Sequence, residues 1–86
     1  MMHYVYLLQC RDGSLYTGVA TDLEKRLAQH MAGKGSKYVR SRLPFTLVYR
    51  EECESQSEAL KRECHIKSLS RAEKLVLIKD ISKNPA

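Results

Sequence analysis

The sequence predicts an α+β fold, a small three-stranded antiparallel sheet flanked by three helices in the order β-β-α-β-α-α. Two segments rich in aromatic and β-branched residues are joined by a turn signal near the N-terminus. Three later segments begin with a helix-capping pattern, and a third strand-like segment lies between the first two of them. The 86 residues suffice for one domain, expected to span 1–86 with a core of about 3–81 and a frayed tail over 83–86.

The first hairpin is compatible with two turn lengths. Its strands, Met2 to Cys10 and Leu15 to Ala20, are separated by a turn signal at residues 11–14. Because side chains alternate along a strand, a two-residue turn would place Tyr6 and Tyr16 on opposite faces. A three-residue turn with a left-handed glycine would place both tyrosines on one face. Both registers remain open at the level of sequence.

Each predicted helix begins with a possible capping box, in which a hydroxyl binds an early backbone N–H and a glutamate reaches back to the cap. The pairs are Thr21 with Glu24, Ser55 with Glu58, and Ser70 with Glu73. The helices are therefore expected at about Asp22–Ala32, Gln56–Leu69 and Arg71–Ser82. The third strand, Phe45 to Glu51, is expected to carry Phe45, Leu47 and Tyr49 on one face.

Composition points toward a polyanionic partner. The formal charge is +5, which favours nucleic acid first and an anionic membrane second, although a solvated surface would also account for it. No apolar run approaches the roughly 18–20 residues that span a bilayer, and the N-terminus lacks the pattern of a signal peptide. The three cysteines have no zinc-ligand spacing and are expected to be small buried thiols. Together these features predict a cytoplasmic protein with no membrane association.

One carboxylate lies where packing alone would not place it. On the second predicted helix, Glu63 falls near the middle of an apolar stripe. The stripe consists of Ala59, Leu60, Cys64 and Ile66. A carboxylate on a core-facing side is costly unless it is paired or binds a cation. The two interpretations are a salt bridge, to Arg26 or Lys67, and a functional carboxylate.

Two further side chains flank the apolar stripe of the first helix. Arg26 and His30 are four residues apart and therefore project in similar directions. Arginine can hold a phosphate with two donors, and histidine can contact phosphate or move a proton. The alternative is that both are solvated residues at the edge of the stripe.

A basic segment follows the first helix. Gly33 and Gly35 end that helix, and the segment Gly33 to Arg42 is expected to be a loop. Cations interleaved with an aromatic residue suit phosphate contact and base stacking, while a solvated flexible loop is the alternative. The candidate nucleic-acid-binding residues are Lys34, Lys37, Tyr38, Arg40 and Arg42.

These residues together resemble the GIY-YIG endonuclease superfamily. Tyr4-Val5-Tyr6 and Tyr16-Thr17-Gly18 resemble the two halves of its signature, with Tyr4 where the family name has glycine. Arg26 resembles the arginine of the family's first helix, His30 a position often held by His or Tyr, and Glu63 the metal-binding glutamate. The resemblance runs from about His3 to Ile81 and is greatest to small bacterial proteins made of this domain and little else, of the UPF0213 type.

The resemblance implies a nuclease that uses one divalent ion, Mg²⁺ or Mn²⁺, held by Glu63. It implies that Tyr16 helps deprotonate the attacking water and that Arg26 binds the phosphate. Tyr6 and His30 would orient the nucleophile or a phosphate oxygen. It further implies a nucleic-acid substrate, DNA rather than RNA, with a role in DNA repair or processing. Because the two tyrosines must share a face, this interpretation predicts the three-residue turn.

Two other functions are compatible with the sequence. A nucleic-acid-binding module of the same fold would bind without a metal and without Glu63. Val19, where many active members carry a polar residue, favours that alternative, as does the lack of an asparagine near the site, since Asn84 lies in the tail. A protein-docking adaptor would show an exposed apolar patch. Larger members of the family have a separate DNA-binding domain, so we expect here either low affinity and sequence selectivity or a protein partner that supplies specificity.

Overall fold

The computed structural model describes residues 2–83, with side chains as far as residue 79. The α+β architecture is confirmed, and a short helix is added to it. The elements are β1 (His3–Cys10), β2 (Leu15–Ala20), α1 (Leu23–Met31), α2 (Lys37–Arg40), β3 (Phe45–Cys53), α3 (Gln56–Ser68) and α4 (Arg71–Lys83). The antiparallel sheet has the order β2-β1-β3, so β1 is central. Of the predicted frayed tail, Lys83 ends α4 and residues 84–86 lie outside the described residues.

The hairpin adopts the three-residue turn. Leu8 pairs with Tyr16 and Tyr6 with Gly18. The Cys10 N–H donates to the Ser14 carbonyl at 2.9 Å, and Gly13 has a φ of 84°, which a glycine adopts without strain. The register that places both tyrosines on one face is therefore confirmed.

The sheet separates two apolar clusters. The α1 and α2 side contains Tyr6, Leu8, Cys10, Leu23 and Val39. The α3 and α4 side contains Val5, Leu7, Tyr49, Cys53, Ala59 and Ile66. Consecutive residues of β1 alternate between these clusters, as a strand buried on both faces requires. Both faces of the central strand are therefore covered.

The prediction that Phe45, Leu47 and Tyr49 share a face is wrong for Tyr49. Leu7 pairs with Tyr49 but Leu8 pairs with Leu47, so Val48 is an extra residue in a β-bulge. A bulge shifts the alternation of side chains by one position. Phe45 and Leu47 consequently pack on the α1 side of the sheet, and Tyr49 packs on the α3 side.

The helix starts follow the capping prediction in two cases of three. The Ser70 N–H donates to Glu73 at 2.9 Å and the Glu73 N–H donates to the Ser70 hydroxyl at 3.2 Å, which is a complete capping box. Ser55 caps α3 through its hydroxyl, which accepts from the Glu58 N–H at 3.1 Å. The prediction for Thr21 is wrong, because Asp22 is the N-cap of α1 and accepts from the Lys25 N–H at 3.1 Å.

The segment predicted as a basic loop contains α2. Ser36 caps this helix through its hydroxyl, and Val39 is fully buried, which explains why the segment is ordered against the sheet. Before it, the N–H of Gly33 bonds to the His30 carbonyl and the N–H of Lys34 to the Gln29 carbonyl. This is a Schellman motif with a left-handed Gly33, and it turns the chain sharply after α1. None of the described helices is long and apolar enough to cross a membrane.

Candidate active site

The hairpin places Tyr6 beneath α1, where it meets His30. Tyr6 is 1% exposed, and its hydroxyl lies 2.8 Å from His30 Nε2. Gly18 is the cross-strand partner of Tyr6, and a side chain at Gly18 would collide with the tyrosine ring and hydroxyl. The glycine of the second signature half therefore makes room for the phenol of the first.

His30 lies at the centre of an aromatic cluster and is 1% exposed. Its ring contacts Tyr6, Tyr16 and Phe45 edge-on, with centroid distances of 5.9, 5.6 and 6.1 Å. Burial, and secondarily the positive charge of Arg26, lower the pKa of His30, so the imidazole is neutral at neutral pH. The Nδ1 atom has no hydrogen-bond partner, and a side chain at Gly35 would collide with it.

Arg26 supplies the permanent charge of the cluster. The phenol of Tyr6 beside it raises the pKa of its guanidinium further, so Arg26 stays charged. One terminal nitrogen lies 3.4 Å from the Gln29 side-chain oxygen, and the Nε atom is buried without a hydrogen-bond partner. The guanidinium therefore retains unused donor capacity next to the two tyrosines.

The electrostatics of Tyr6 connect both helices to this site. Burial raises the pKa of the Tyr6 phenol, and the neighbouring Arg26 partly offsets that effect. Tyr16 and Glu63 each raise the pKa of Tyr6 further. The charge of Glu63, on α3, thus reaches the same phenol that α1 contacts. All five predicted catalytic residues belong to one electrostatic neighbourhood.

Glu63 occupies the inner face of α3 but reaches solvent. Ala59 and Ile66, four before and three after it, are fully buried, while the Glu63 side chain is 21% exposed. The predicted stripe is wrong for Leu60, which is 48% exposed, and for Cys64, which is also exposed. Cys10 and Cys53 are buried as predicted.

Two ion pairs set the surroundings of Glu63. It pairs with Lys67 at 3.4 Å, one of the two salt-bridge partners that the sequence allowed. The preceding residue, Arg62, binds Glu51 of β3 with two donors at 2.7 and 3.1 Å. That two-point contact fixes α3 against the sheet and so fixes the position of Glu63.

The donor set suits a hydrated hard cation better than a metal enclosed by protein. Within the described part of the chain, no group of three or more His, Cys, Asp or Glu residues could hold a metal. Glu63 offers one carboxylate that is both partly buried and open to solvent. Mg²⁺ keeps several waters and binds through one or two carboxylates, so a single glutamate fits it.

The structure divides the basic residues into two groups. Lys34, Lys37 and Arg40 are exposed and available to a ligand. Arg42 instead binds Asp12 at 3.0 Å and lies 3.8 Å above the Tyr38 ring centroid. Tyr38 also packs nearly parallel to Tyr16, with centroids 6.0 Å apart. Tyr38 is 37% exposed, and its ring contacts both Arg42 and Tyr16.

A surface pocket of about 470 Å³ opens beside Arg26 and was not predicted. Its polar lining includes His3, Lys25, Gln29 and Gln56, and Val19 forms part of the wall. Sequence reasoning also missed Gly35 as a contact of His30, although the Gly33-Lys34-Gly35 pattern signalled a close approach of backbone.

Comparisons with known proteins indicate the family of the chain. The family described as "GIY-YIG catalytic domain" matches residues 2–75. A UPF0213 protein of Staphylococcus saprophyticus is 54% identical over 78 residues, which cover 91% of this chain and 95% of that protein. Another, of Halobacterium salinarum, is 53% identical over 76 residues, covering 88% and 99%.

Two solution NMR structures share the fold. A UPF0213 protein from Bacillus halodurans has a TM-score of 0.61 and 48% identity, covering 92% of this chain and 84% of that chain. A protein from E. faecalis has a TM-score of 0.68 and 38% identity, covering 98% and 90%. The match to the catalytic domain spans both tyrosines, the arginine, the histidine and the glutamate described above. The chain therefore belongs to the GIY-YIG family of nuclease domains and resembles its UPF0213 members.

Proposed function

We propose that the protein is a metal-dependent endonuclease that hydrolyses phosphodiester bonds, in DNA rather than RNA, during DNA repair or processing. The observation that carries this proposal is the convergence of Tyr6, Tyr16, Arg26 and His30 on one face of the sheet, with the charge of Glu63 acting on the same phenol. A packing role alone would not require a cation with unused donors beside two tyrosines.

The side chains divide the chemistry among them. Arg26 binds the scissile phosphate and balances the negative charge that grows in the transition state. Tyr16 is less buried than Tyr6; acting as a phenolate, it takes the proton of the attacking water and becomes a phenol. The water oxygen bonds to phosphorus, the bond from phosphorus to the leaving sugar oxygen breaks, and that oxygen gains a proton from solvent. The neutral Tyr6–His30 pair orients the water or a phosphate oxygen through hydrogen bonds.

Glu63 is the residue that would hold Mg²⁺ or Mn²⁺. Such an ion, held by Glu63, would supply Lewis-acid stabilisation of the negative charge that develops on the leaving group. Because Lys67 pairs with the same carboxylate, the ion must compete with an exposed lysine. An exposed pair of this kind is worth only about 0–1 kcal/mol, which is a small barrier to metal binding.

The substrate surface lies around this cluster. The exposed cations Lys34, Lys37 and Arg40 would contact the phosphates of the nucleic acid. The pocket beside Arg26 would take the nucleotide next to the cut, with Lys25 facing its phosphate. A protein partner would add specificity, since the predicted contacts are to the backbone and carry little sequence information.

A binding module without turnover is the second candidate. Val19 lines the pocket beside Arg26 with an apolar side chain, and the Glu63–Lys67 pair gives the carboxylate a structural partner. Such a module would bind nucleic acid without a metal, and its binding would be independent of Glu63.

The deciding experiment measures cleavage of labelled duplex, single-stranded and branched DNA, and of RNA, with Mg²⁺, Mn²⁺ or EDTA. Glu63→Gln and Tyr16→Phe should reduce the rate by at least about 100-fold. Glu58→Gln, which changes an exposed carboxylate on the same helix, is the matched control and should retain activity.

Equal cutting by wild type and both site variants would indicate a contaminant. Binding that weakens with salt but no cutting on any substrate would favour the binding module. Cutting of duplex and branched DNA in preference to RNA would support the proposed substrate and its link to repair.

A further inference from the structure

A series of contacts connects the Tyr16 ring, through Tyr38 and Arg42, to Asp12 in the turn of the same hairpin. Tyr38 of α2 lies beside Tyr16, with an interplanar angle of 25° and centroids 6.0 Å apart. Arg42 covers the Tyr38 ring, with Cζ 3.8 Å from its centroid. The Nε atom of Arg42 donates to Asp12 at 3.0 Å, and Asp12 lies in the turn between β1 and β2.

Several donors fix the orientation of Arg42. One terminal nitrogen donates to the Tyr38 carbonyl at 3.1 Å and to the Ser41 hydroxyl at 2.9 Å. The Arg42 carbonyl accepts from the Arg11 N–H at 3.0 Å, so backbone as well as side chain ties this segment to the turn. A planar guanidinium with these partners cannot turn away from the Tyr38 ring without losing hydrogen bonds.

Tyr16 requires such support because of its place in the fold. It lies near the start of β2, an edge strand whose only neighbour in the described sheet is β1, and it is only partly buried. His30 contacts its ring edge-on at 5.6 Å on one side. Without Tyr38, the ring would be free to adopt other rotamers on its solvent side.

We propose that Asp12, Tyr38 and Arg42 form a bracket that positions the Tyr16 ring. Tyr38 and Arg42 are then positioning residues, and the contacts to nucleic acid are left to the exposed cations Lys34, Lys37 and Arg40. The kinetic consequence of the bracket rests on the proposed nuclease function, whereas its effect on the Tyr16 ring is a property of the fold and can be measured without cleavage.

The structural test uses ¹⁹F NMR of protein labelled with 3-fluorotyrosine. The Tyr16 signal is assigned by its disappearance in Tyr16→Phe. In Asp12→Asn and Tyr38→Ala, that signal should shift and broaden, because the ring gains rotamers. Tyr38→Phe keeps the stacked ring and should leave the Tyr16 signal unchanged. Lys61→Ala, which removes an exposed cation on α3, should also leave that signal unchanged. An unchanged Tyr16 signal in both Asp12→Asn and Tyr38→Ala would overturn the bracket.

The kinetic test separates positioning from binding. Displacing a reacting group by about 1 Å can cost on the order of 100-fold in rate. Asp12→Asn and Tyr38→Ala should therefore lower kcat by about 10- to 100-fold while KM stays within about threefold. Tyr38→Phe should restore kcat. A raised KM with an unchanged kcat would instead show that these residues contact nucleic acid, and would overturn the proposal.

The two tests also distinguish failure of the bracket from failure of the nuclease. If the wild-type protein cuts no substrate, the ¹⁹F signals still decide whether the bracket positions Tyr16. If Tyr38→Ala does not fold, Asp12→Asn carries the decision, because Asp12 is exposed and asparagine keeps the oxygen that Ser14 binds.

Discussion

At the residue scale, the site combines neutral groups with one fixed charge. Burial raises the pKa of Tyr6 and lowers that of His30, so both side chains are uncharged at neutral pH. Arg26 lies beside them and stays protonated. A buried neutral hydrogen-bonded pair next to a permanent cation is an arrangement prepared for an anion, because the favourable interaction with the cation does not depend on a protonation step.

The lowered pKa of His30 predicts how stability changes with pH. An unfolded histidine binds a proton below about pH 6.5, whereas the buried one resists it. The contribution of His30 is therefore fully present above that pH, and the free energy of unfolding should fall as pH drops, by at most about 1.4 kcal/mol per pH unit. Urea unfolding between about pH 7.5 and 5.5 measures it. This range avoids the titration of Asp12 and Glu73. Hydrogen bonds from Ser14 and Ser70 lower the pKa values of these carboxyls, so their contributions to stability are lost only in more acidic solution.

The comparison variant is His30→Gln, which removes the titrating group and should flatten the pH profile. His65→Gln, which changes an exposed histidine, should keep the slope of the wild type. The same slope in all three proteins would show that His30 is not the group responsible.

At the scale of single elements, the sequence predicted features that depend on a local residue pattern. It missed features that depend on packing against another element. The four-residue spacing of Arg26 and His30 predicted that both side chains project in similar directions. The hairpin register, which the sequence left open, is set in the structure by the three-residue turn with its left-handed Gly13. The α2 helix was missed because it depends on burial of Val39 against the sheet, which a basic and glycine-rich stretch does not reveal. Leu60 was assigned to the core because helical spacing alone does not show which side meets the sheet.

The start of α1 gives a prediction at this scale. Asp22→Ala should lower the free energy of unfolding by about 1 kcal/mol, since it removes the acceptor of the Lys25 N–H. For a domain of this size, that loss corresponds to a decrease in Tm of about 4–8 °C. Thr21→Ala should change the free energy by less than about 0.5 kcal/mol. Equal effects of the two substitutions in thermal unfolding would restore Thr21 as the cap.

At the scale of the whole molecule, the sheet separates the two sides of the site. The hairpin and α1 supply the aromatic and cationic groups from one face, and α3 supplies Glu63 from the other, where it packs against β1 and β2. The fold class was predictable, because it depends on local patterns and on the family resemblance. The pocket beside Arg26 was not, because residues from β1, β2, α1 and α3 meet there.

The proposed contacts of Lys34, Lys37 and Arg40 with nucleic acid predict how such binding would respond to salt. Each phosphate contact contributes a slope of about −0.9 to log K against log salt concentration for duplex DNA. Lys37→Ala should weaken binding and make the slope shallower by about one contact. Lys61→Ala removes an exposed charge on α3 and should leave the slope unchanged. Fluorescence anisotropy between about 50 and 200 mM salt measures both, and equal slopes for the wild type and Lys37→Ala would exclude that lysine from the interface.

The β-bulge at Val48 determines which face of the sheet each later side chain of β3 occupies. Before the bulge, odd-numbered residues of this strand face α1; after it, odd-numbered residues such as Tyr49 and Cys53 face α3. Regular pairing of the same residues without the bulge would restore simple alternation and would turn Tyr49 and Glu51 toward α1 instead of α3. Arg62 would lose its partner, and α3 would lose the contact that aims Glu63. Val48, a single unpaired residue distant in sequence from the signature motifs, thereby keeps Glu51 on the face of the sheet where it can hold α3 and position Glu63.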